Sequence, residues 1–255
     1  MRHERIVAVT VLLGTLWAGC GGSSSAPSAA PAAAAGSFSS PHFLFQYTTL
    51  DADNIGAIAA AVETVYPRII AELLSDALPQ VNVTFYLDHS ALETAALAAG
   101  VVVPPWASGL ATAENRIHLI SPNLRSWGAY DRLVSNLVHE FAHCVSLHLN
   151  GRIANNPRWF WESVAIYESR QFVEPKTLAY LTARTPPSFD RLNAFDNTLV
   201  YDVGYLIGEF VVARWGRAAL HDLIAVNGDT SAALGLSQPV FEQQWFAFVQ
   251  DRYGL

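Results

Sequence analysis

The stretch His139-Glu140-Phe141-Ala142-His143, with Glu162 after eighteen further residues in Trp159-Phe160-Trp161-Glu162-Ser163, decides how the rest of this chain is read. Leu133, Leu137, Phe141, Ala142, Val145 and Leu149 recur near the helical period, so the spacing predicts a helix over 132–150, stopped by Gly151. On such a helix two histidines at i and i+4 share a face, with Cβ atoms roughly 5–6 Å apart. A second helix is predicted over 157–171; Pro157 opens it, no later breaker interrupts it, and it carries Glu162. Two imidazoles and a carboxylate form a donor set for tetrahedral zinc, which in catalytic sites takes three protein ligands and leaves one position open. His139, His143 and Glu162 are therefore the expected zinc ligands, and Glu140 is placed to take a proton from the attacking water.

At these residues the chain resembles a known group. HExxH-x18-Glu, with the Glu inside the aromatic-rich run WFWESVAIYES at 159–169, is similar to the gluzincin metallopeptidases, and most of all to the aminopeptidase-N-like family and the short peptidase MA-like domains. Trp159, Phe160, Glu162, Ala165, Tyr167 and Glu168 follow the family pattern around the third ligand. Ser163 stands where that pattern usually has Gly, and Glu168 sits one place closer than its Tyr-x-Glu spacing. The resemblance covers roughly residues 113–215. It implies an α+β, thermolysin-like catalytic domain with a small N-terminal β-sheet and a mostly helical C-terminal half, hydrolysing bonds in a peptide or protein substrate with zinc. It also implies that the strand before the HExxH helix is a sheet edge where substrate adds as an extended strand, which assigns that edge to 116–120.

Two further elements bear on the same resemblance. Tyr201-Asp202-Val203-Gly204 resembles the Tyr-x-Lys-Gly element of aminopeptidases, whose phenol stabilises the oxyanion, although Val203 replaces the Lys. Tyr201 is the expected donor, Tyr205 competes one turn later, and an aromatic stripe packed into the core is the alternative to both. Ala113-Glu114-Asn115 resembles the end of the Gly-x-Met-Glu-Asn element, in which Glu binds the free amine of the substrate. Ala111 and Ala113 replace its Gly and Met, so a plain turn before a strand is preferred for Glu114.

The N-terminal stretch suggests where this chemistry takes place. A basic start (Arg2, Arg5), an apolar run over 6–17 and Ala18-Gly19-Cys20 read as a secretory signal over 1–19, too short for a membrane span. Cys after small residues resembles a bacterial lipobox, with Trp17 in the place usually held by Leu. The resemblance implies a lipidated Cys20 as mature N-terminus and an exported, membrane-anchored protein in the cell envelope. Gly21 is not the Asp that retains lipoproteins in an inner membrane, so the anchor would lie in the outer membrane of a Gram-negative cell. An ordinary signal peptide cleaved nearby is the alternative. Residues 20–40, rich in Ala, Ser, Pro and Gly, read as a tether, and 41–255 as one catalytic domain.

Formal charge is −7; removing Arg2, Glu4 and Arg5 with the signal leaves −8, and the single Lys, Lys176, lies in no basic stripe. Nucleic acid is thus excluded as a partner. With Cys20 lipidated, Cys144 is the remaining thiol, about 140° around the helix from His139, and is expected to pack as a small hydrophobe. His42, His89, His118, His148 and His221 fall outside the ligand set, which three residues already complete.

Elsewhere the pattern predicts strands over 43–48, 81–87 and 116–120, and a helix over 51–77 with Pro67 kinking or dividing it. A capping box at Ser90-Ala91-Leu92-Glu93 opens a helix ending at Gly100, and helices follow near 174–184, 198–215, 217–226 and 239–252. Strands first and helices later suggest α+β. The expected function is zinc-dependent peptide-bond hydrolysis by a tethered metallopeptidase. The alternatives are a zinc amidase acting on a non-protein amide of the cell envelope, and a non-catalytic peptide-binding lipoprotein. Glu140 argues against the last, because a binding module has no need of a base.

Overall fold

A computed structural model describes residues 35–255; the signal sequence, Cys20 and the first part of the expected tether lie outside them. Among the described residues the fold is mixed α/β, with five strands interleaved with two helices and followed by a succession of helices. The strands are β1 (Gly36–Ser39), β2 (Phe43–Tyr47), β3 (Val81–Tyr86), β4 (Gly109–Ala113) and β5 (Arg116–Ile120), in the sheet order β1-β2-β3-β5-β4. β2, β3 and β5 run parallel, and β1 and β4 close the two edges antiparallel.

Two expectations need correcting here. β1 lies within the segment read as tether, so the sheet begins at Gly36 rather than after residue 40. Its small residues have little strand propensity, but the backbone of Ser37 and Phe38 pairs with Gln46 and Phe45, and Phe38 packs on the core. The strand 116–120 is also not an edge: the hairpin through Glu114-Asn115 folds β4 outside β5, so β4 is the free border. Gly-Leu-Ala-Thr-Ala has no β-branched alternation that would have marked it as a strand.

Helices α1 (Ile55–Glu72) and α2 (His89–Ala98) connect the parallel strands and cover opposite faces of the sheet. Val81, Val83 and Phe85 of β3 and Ile117 and Leu119 of β5 share a core with α1 and α3 (Tyr130–Leu149). Tyr86 and Ile120 point the other way, to Leu92 and Ala96 of α2. Helix α1 starts later than the expected 51, because Asp51 is drawn into a buried turn where Thr48 Oγ1 and Ser121 Oγ donate to its carboxylate at 2.7 and 2.6 Å. Pro67 lies inside α1 without ending it. The capping box at Ser90 does not form: α2 opens at Asp88, whose carboxylate accepts from the Ala91 N–H at 2.8 Å.

Beyond α3 come α4 (Arg158–Glu168), α5 (Ala179–Thr182), α6 (Phe189–Asn193), α7 (Val200–Trp215), α8 (Ala218–Ala225), α9 (Thr230–Leu234) and α10 (Gln238–Tyr253). The span 174–184 is a 3₁₀ turn followed by one helical turn rather than a helix. Helices α4 and α7 pack closely because α7 presents Gly204 and Gly208, one turn apart, to α4. A Cβ on Gly204 would stand 2.6 Å from Ile166 Cδ1 and 3.3 Å from Ser163 Cα. A Cβ on Gly208 would stand 2.7 Å from Tyr167 Cγ. This contact sets the start of α7 against the middle of α4, where Glu162 lies. No helix among the described residues is long and apolar enough to cross a membrane.

Candidate metal centre

Helix α3 carries His139 and His143 on one face, and α4 brings Glu162 across to them. One donor atom from each lies within 4.8 Å of the others. Glu162 Oε2 is 3.3 Å from His139 Nε2 and 3.7 Å from His143 Nε2, and all three side chains are buried. The rings stand edge to face, with centroids 4.6 Å apart and planes at 89°. Glu162 Oε2 makes no hydrogen bond to either ring, although it is buried between them. A buried carboxylate oxygen without a donor is costly, and a cation among these three donors removes that cost. The three residues could thus hold a metal ion.

Electrostatics favour the ligating protonation states at two of the three groups. Burial pushes the Glu162 carboxyl up, but both imidazoles outweigh it and hold Glu162 well below the usual carboxylate range. Burial pushes His143 down to about 4, so it is a neutral imidazole near neutral pH. Burial also opposes charge on His139, but the carboxylates of Glu162 and Glu140 together raise it above its ordinary value.

Glu140, one residue past the first histidine, projects toward the edge strand. Burial raises its carboxyl to about 7, against the pull of the neighbouring His139 imidazole. Its Oε2 is buried and makes no hydrogen bond. Gly109 lets β4 come this close: a Cβ there would clash with Leu119 and lie 3.3 Å from Glu140 Cγ.

His139 and Glu140 border a cleft of about 510 Å³ between the start of β4, α3, the segment after α4 and the start of α7. Tyr201 lines it, with its ring centroid 6.4 Å from that of His139. Tyr205 instead packs between Tyr167 and Phe172, at 5.2 Å from each ring. Of the two tyrosines, only Tyr201 is thus brought to His139. No family model, curated protein or solved structure matches the chain.

The other sequence candidates lie elsewhere. Glu114 sits at the β4–β5 turn and pairs with His148 at 2.7 Å, as the turn reading has it. His42 pairs with Glu63, His118 bonds the Tyr86 hydroxyl, and His89 stacks on Trp127. Cys144 is buried, with its thiol donating to the Ala113 carbonyl at 3.4 Å.

Sequence reasoning missed several groups around the centre. Gln171, just past α4, lies beside His139 and donates to Asn136 Oδ1 at 3.0 Å; Asn136 donates to Ser108 Oγ at 2.6 Å, tying α4, α3 and the approach to β4 together. Trp106 meets Tyr201 edge to face at 5.5 Å and forms a wall of the cleft. Arg158 lies behind both, its Cζ 5.6 Å from the Tyr201 ring and 6.0 Å from that of Trp106. A signal for Arg158 was available: it precedes Glu162 by one helical turn and so shares its face. Trp106 and Gln171 reach the centre through loops that carry no periodicity.

Proposed function

We propose that this chain is a zinc-dependent hydrolase of peptide bonds, a gluzincin-type metallopeptidase with a thermolysin-like catalytic domain. The observation that carries the reading is the convergence of the His139, His143 and Glu162 donor atoms within 4.8 Å, beside a buried carboxylate with a free oxygen. Zinc held there supplies a Lewis acid that polarises a carbonyl and makes water a stronger acid.

The chain's own groups divide the remaining work. Glu140, poised near 7, takes a proton from the attacking water and passes it to the leaving amine. Tyr201 donates its phenol O–H to negative charge developing on the carbonyl oxygen, and burial raises its pKa, keeping that proton in place. The free edge of β4 offers main-chain donors and acceptors along the cleft, so a peptide or protein substrate adds there as an extended strand. Cys20 and the apolar run before it support an exported, lipid-anchored protein of the cell envelope.

The test measures zinc content and digests a mixed peptide library, read by mass spectrometry, with wild type and Glu140→Gln. Zinc-loaded wild type should cleave, and Glu140→Gln should keep the metal and lose turnover. Equal cleavage by both proteins would sink the reading. Release of a Cys20→Ser variant from the membrane fraction checks the anchor.

A further inference from the structure

Arg158 is buried, 4% exposed, at the start of α4. Its Nη1 donates to the carbonyls of Asn197, Leu192 and Ala194 at 2.8, 3.1 and 3.3 Å, which fixes the guanidinium and the loop leading to α7. Its Nη2 is also buried and makes no hydrogen bond. Among the described residues no carboxylate forms an ion pair with it. A buried guanidinium cannot shed its proton, and without a counter-ion it is expensive to retain. Anchoring the loop uses Nη1 and leaves Nη2 unexplained.

The free nitrogen has a neighbour suited to it. The guanidinium lies over the Tyr201 ring, its Cζ 5.6 Å from the ring centroid, with the Trp106 ring at 6.0 Å and lining the cleft. Arginine is only a donor, whereas a phenol oxygen both donates and accepts. We propose that Arg158 is a positioning residue for Tyr201: its Nη2 donates to the phenol oxygen, so the phenol proton is turned into the cleft toward charge developing beside His139. The positive charge stays one group behind the donor and strengthens it as negative charge grows. Arg158 acts through Tyr201 and does not touch the substrate, in keeping with its burial. The role assigned to the donated proton rests on the hydrolase reading; the Arg158–Tyr201 contact does not.

The experiment has two arms on the zinc-loaded protein. NMR of protein carrying tyrosine labelled at Cζ reports the Tyr201 resonance, assigned as the one lost in Tyr201→Phe. Arg158→Gln should move it, and Arg158→Lys, which keeps the charge, should move it less. In the second arm two peptide probes with the same side chains are titrated. One is a phosphinic peptide, whose anionic oxygen mimics the oxyanion; the other is a mercaptoacyl peptide, which has none. Arg158→Gln should weaken the phosphinic probe about tenfold to a hundredfold, the worth of a charge-assisted hydrogen bond, and leave the mercaptoacyl probe within about threefold. In a Tyr201→Phe background Arg158→Gln should cost nothing further. An unmoved Tyr201 resonance, equal weakening of both probes, or full additivity in the double variant would each overturn the proposal. If Arg158→Gln does not fold, Arg158→Lys decides: it must bind the phosphinic probe more tightly than Tyr201→Phe does. Wild type that cleaves no peptide sinks the hydrolase reading alone, because the resonance still decides the contact.

Discussion

The imidazole of His143 lies flat on the indole of Trp161, with centroids 3.9 Å apart and planes within 6°. A metal-ligating histidine usually has its second nitrogen held by a carboxylate or carbonyl. His143 Nδ1 has no such partner. The stack therefore fixes the ring, and the residue that provides it is next in sequence to Glu162. Trp161→Leu should weaken zinc roughly 10–100-fold without removing a ligand, the usual cost of losing an orienting partner. Trp161→Phe, which can still stack, should lose less. Competition against a metal-binding indicator measures this, and Trp161→Leu holding zinc as tightly as wild type would refute it.

Tyr201 lies beside His139 and Tyr205 packs between Tyr167 and Phe172, so the two hydroxyls should differ in kinetics. Tyr201→Phe keeps the ring and removes a donor that matters only as charge develops. It should lower kcat about 10²–10³-fold with KM and zinc occupancy little changed. Tyr205→Phe should keep nearly full turnover. The reverse pattern would exchange their roles.

Gly204 and Gly208 let α7 approach α4, and a methyl at either meets Ile166 or Tyr167 at under 3 Å. Gly204→Ala and Gly208→Ala should each destabilise the protein by about 1–3 kcal/mol through overpacking. Gly204→Ala should also lower turnover, because Tyr201 lies one turn away on the displaced helix. Gly56, in α1 with nothing within 4 Å, is the matched control: Gly56→Ala should stabilise by about 0.5–1 kcal/mol. Urea denaturation of the three variants decides it, and a neutral Gly208→Ala would show that the helices yield.

The site was legible where it depends on short spacing. His139 and His143 share a face by helical geometry alone, and Glu162 needed only a second helix, although that α4 turns it toward α3 is a tertiary fact. What depends on chain-distant partners was not legible. β4 has little strand propensity of its own and is held by pairing with β5 and by contact with α3, so no strand was expected outside 116–120, which the resemblance made the edge. Trp106 and Gln171 arrive on loops. Asp88 displaced the expected cap at Ser90 because an equally good acceptor stood two residues earlier, closer to the end of β3.

Glu168, at the end of α4, gives a pH dependence with a definite sign. It is buried, and Arg68 Nη1 reaches its Oε2 at 3.1 Å. The same Arg68 nitrogen, with Arg217 and Arg170, is also taken by Glu72, at 2.8, 2.8 and 3.3 Å. Burial and then the neighbouring Glu72 carboxylate push the Glu168 carboxyl up to about 8. Glu72 is held below its ordinary value: burial raises it, but the neighbouring Glu168 carboxyl and the three arginines outweigh burial. The pair therefore folds with one proton, on Glu168. The native state binds that proton more tightly than the unfolded chain, whose carboxyl titrates near 4.5. Between that value and about 8 the folded protein holds more protons, so this group makes stability fall as pH rises through the window. Glu168→Gln keeps the size of the side chain and cannot ionise. Its melting temperature should change less than that of wild type between about pH 5.5 and about pH 8.5, with the two curves closest at the acid end. Parallel curves across that range would show that Glu168 titrates alike in the folded and unfolded states.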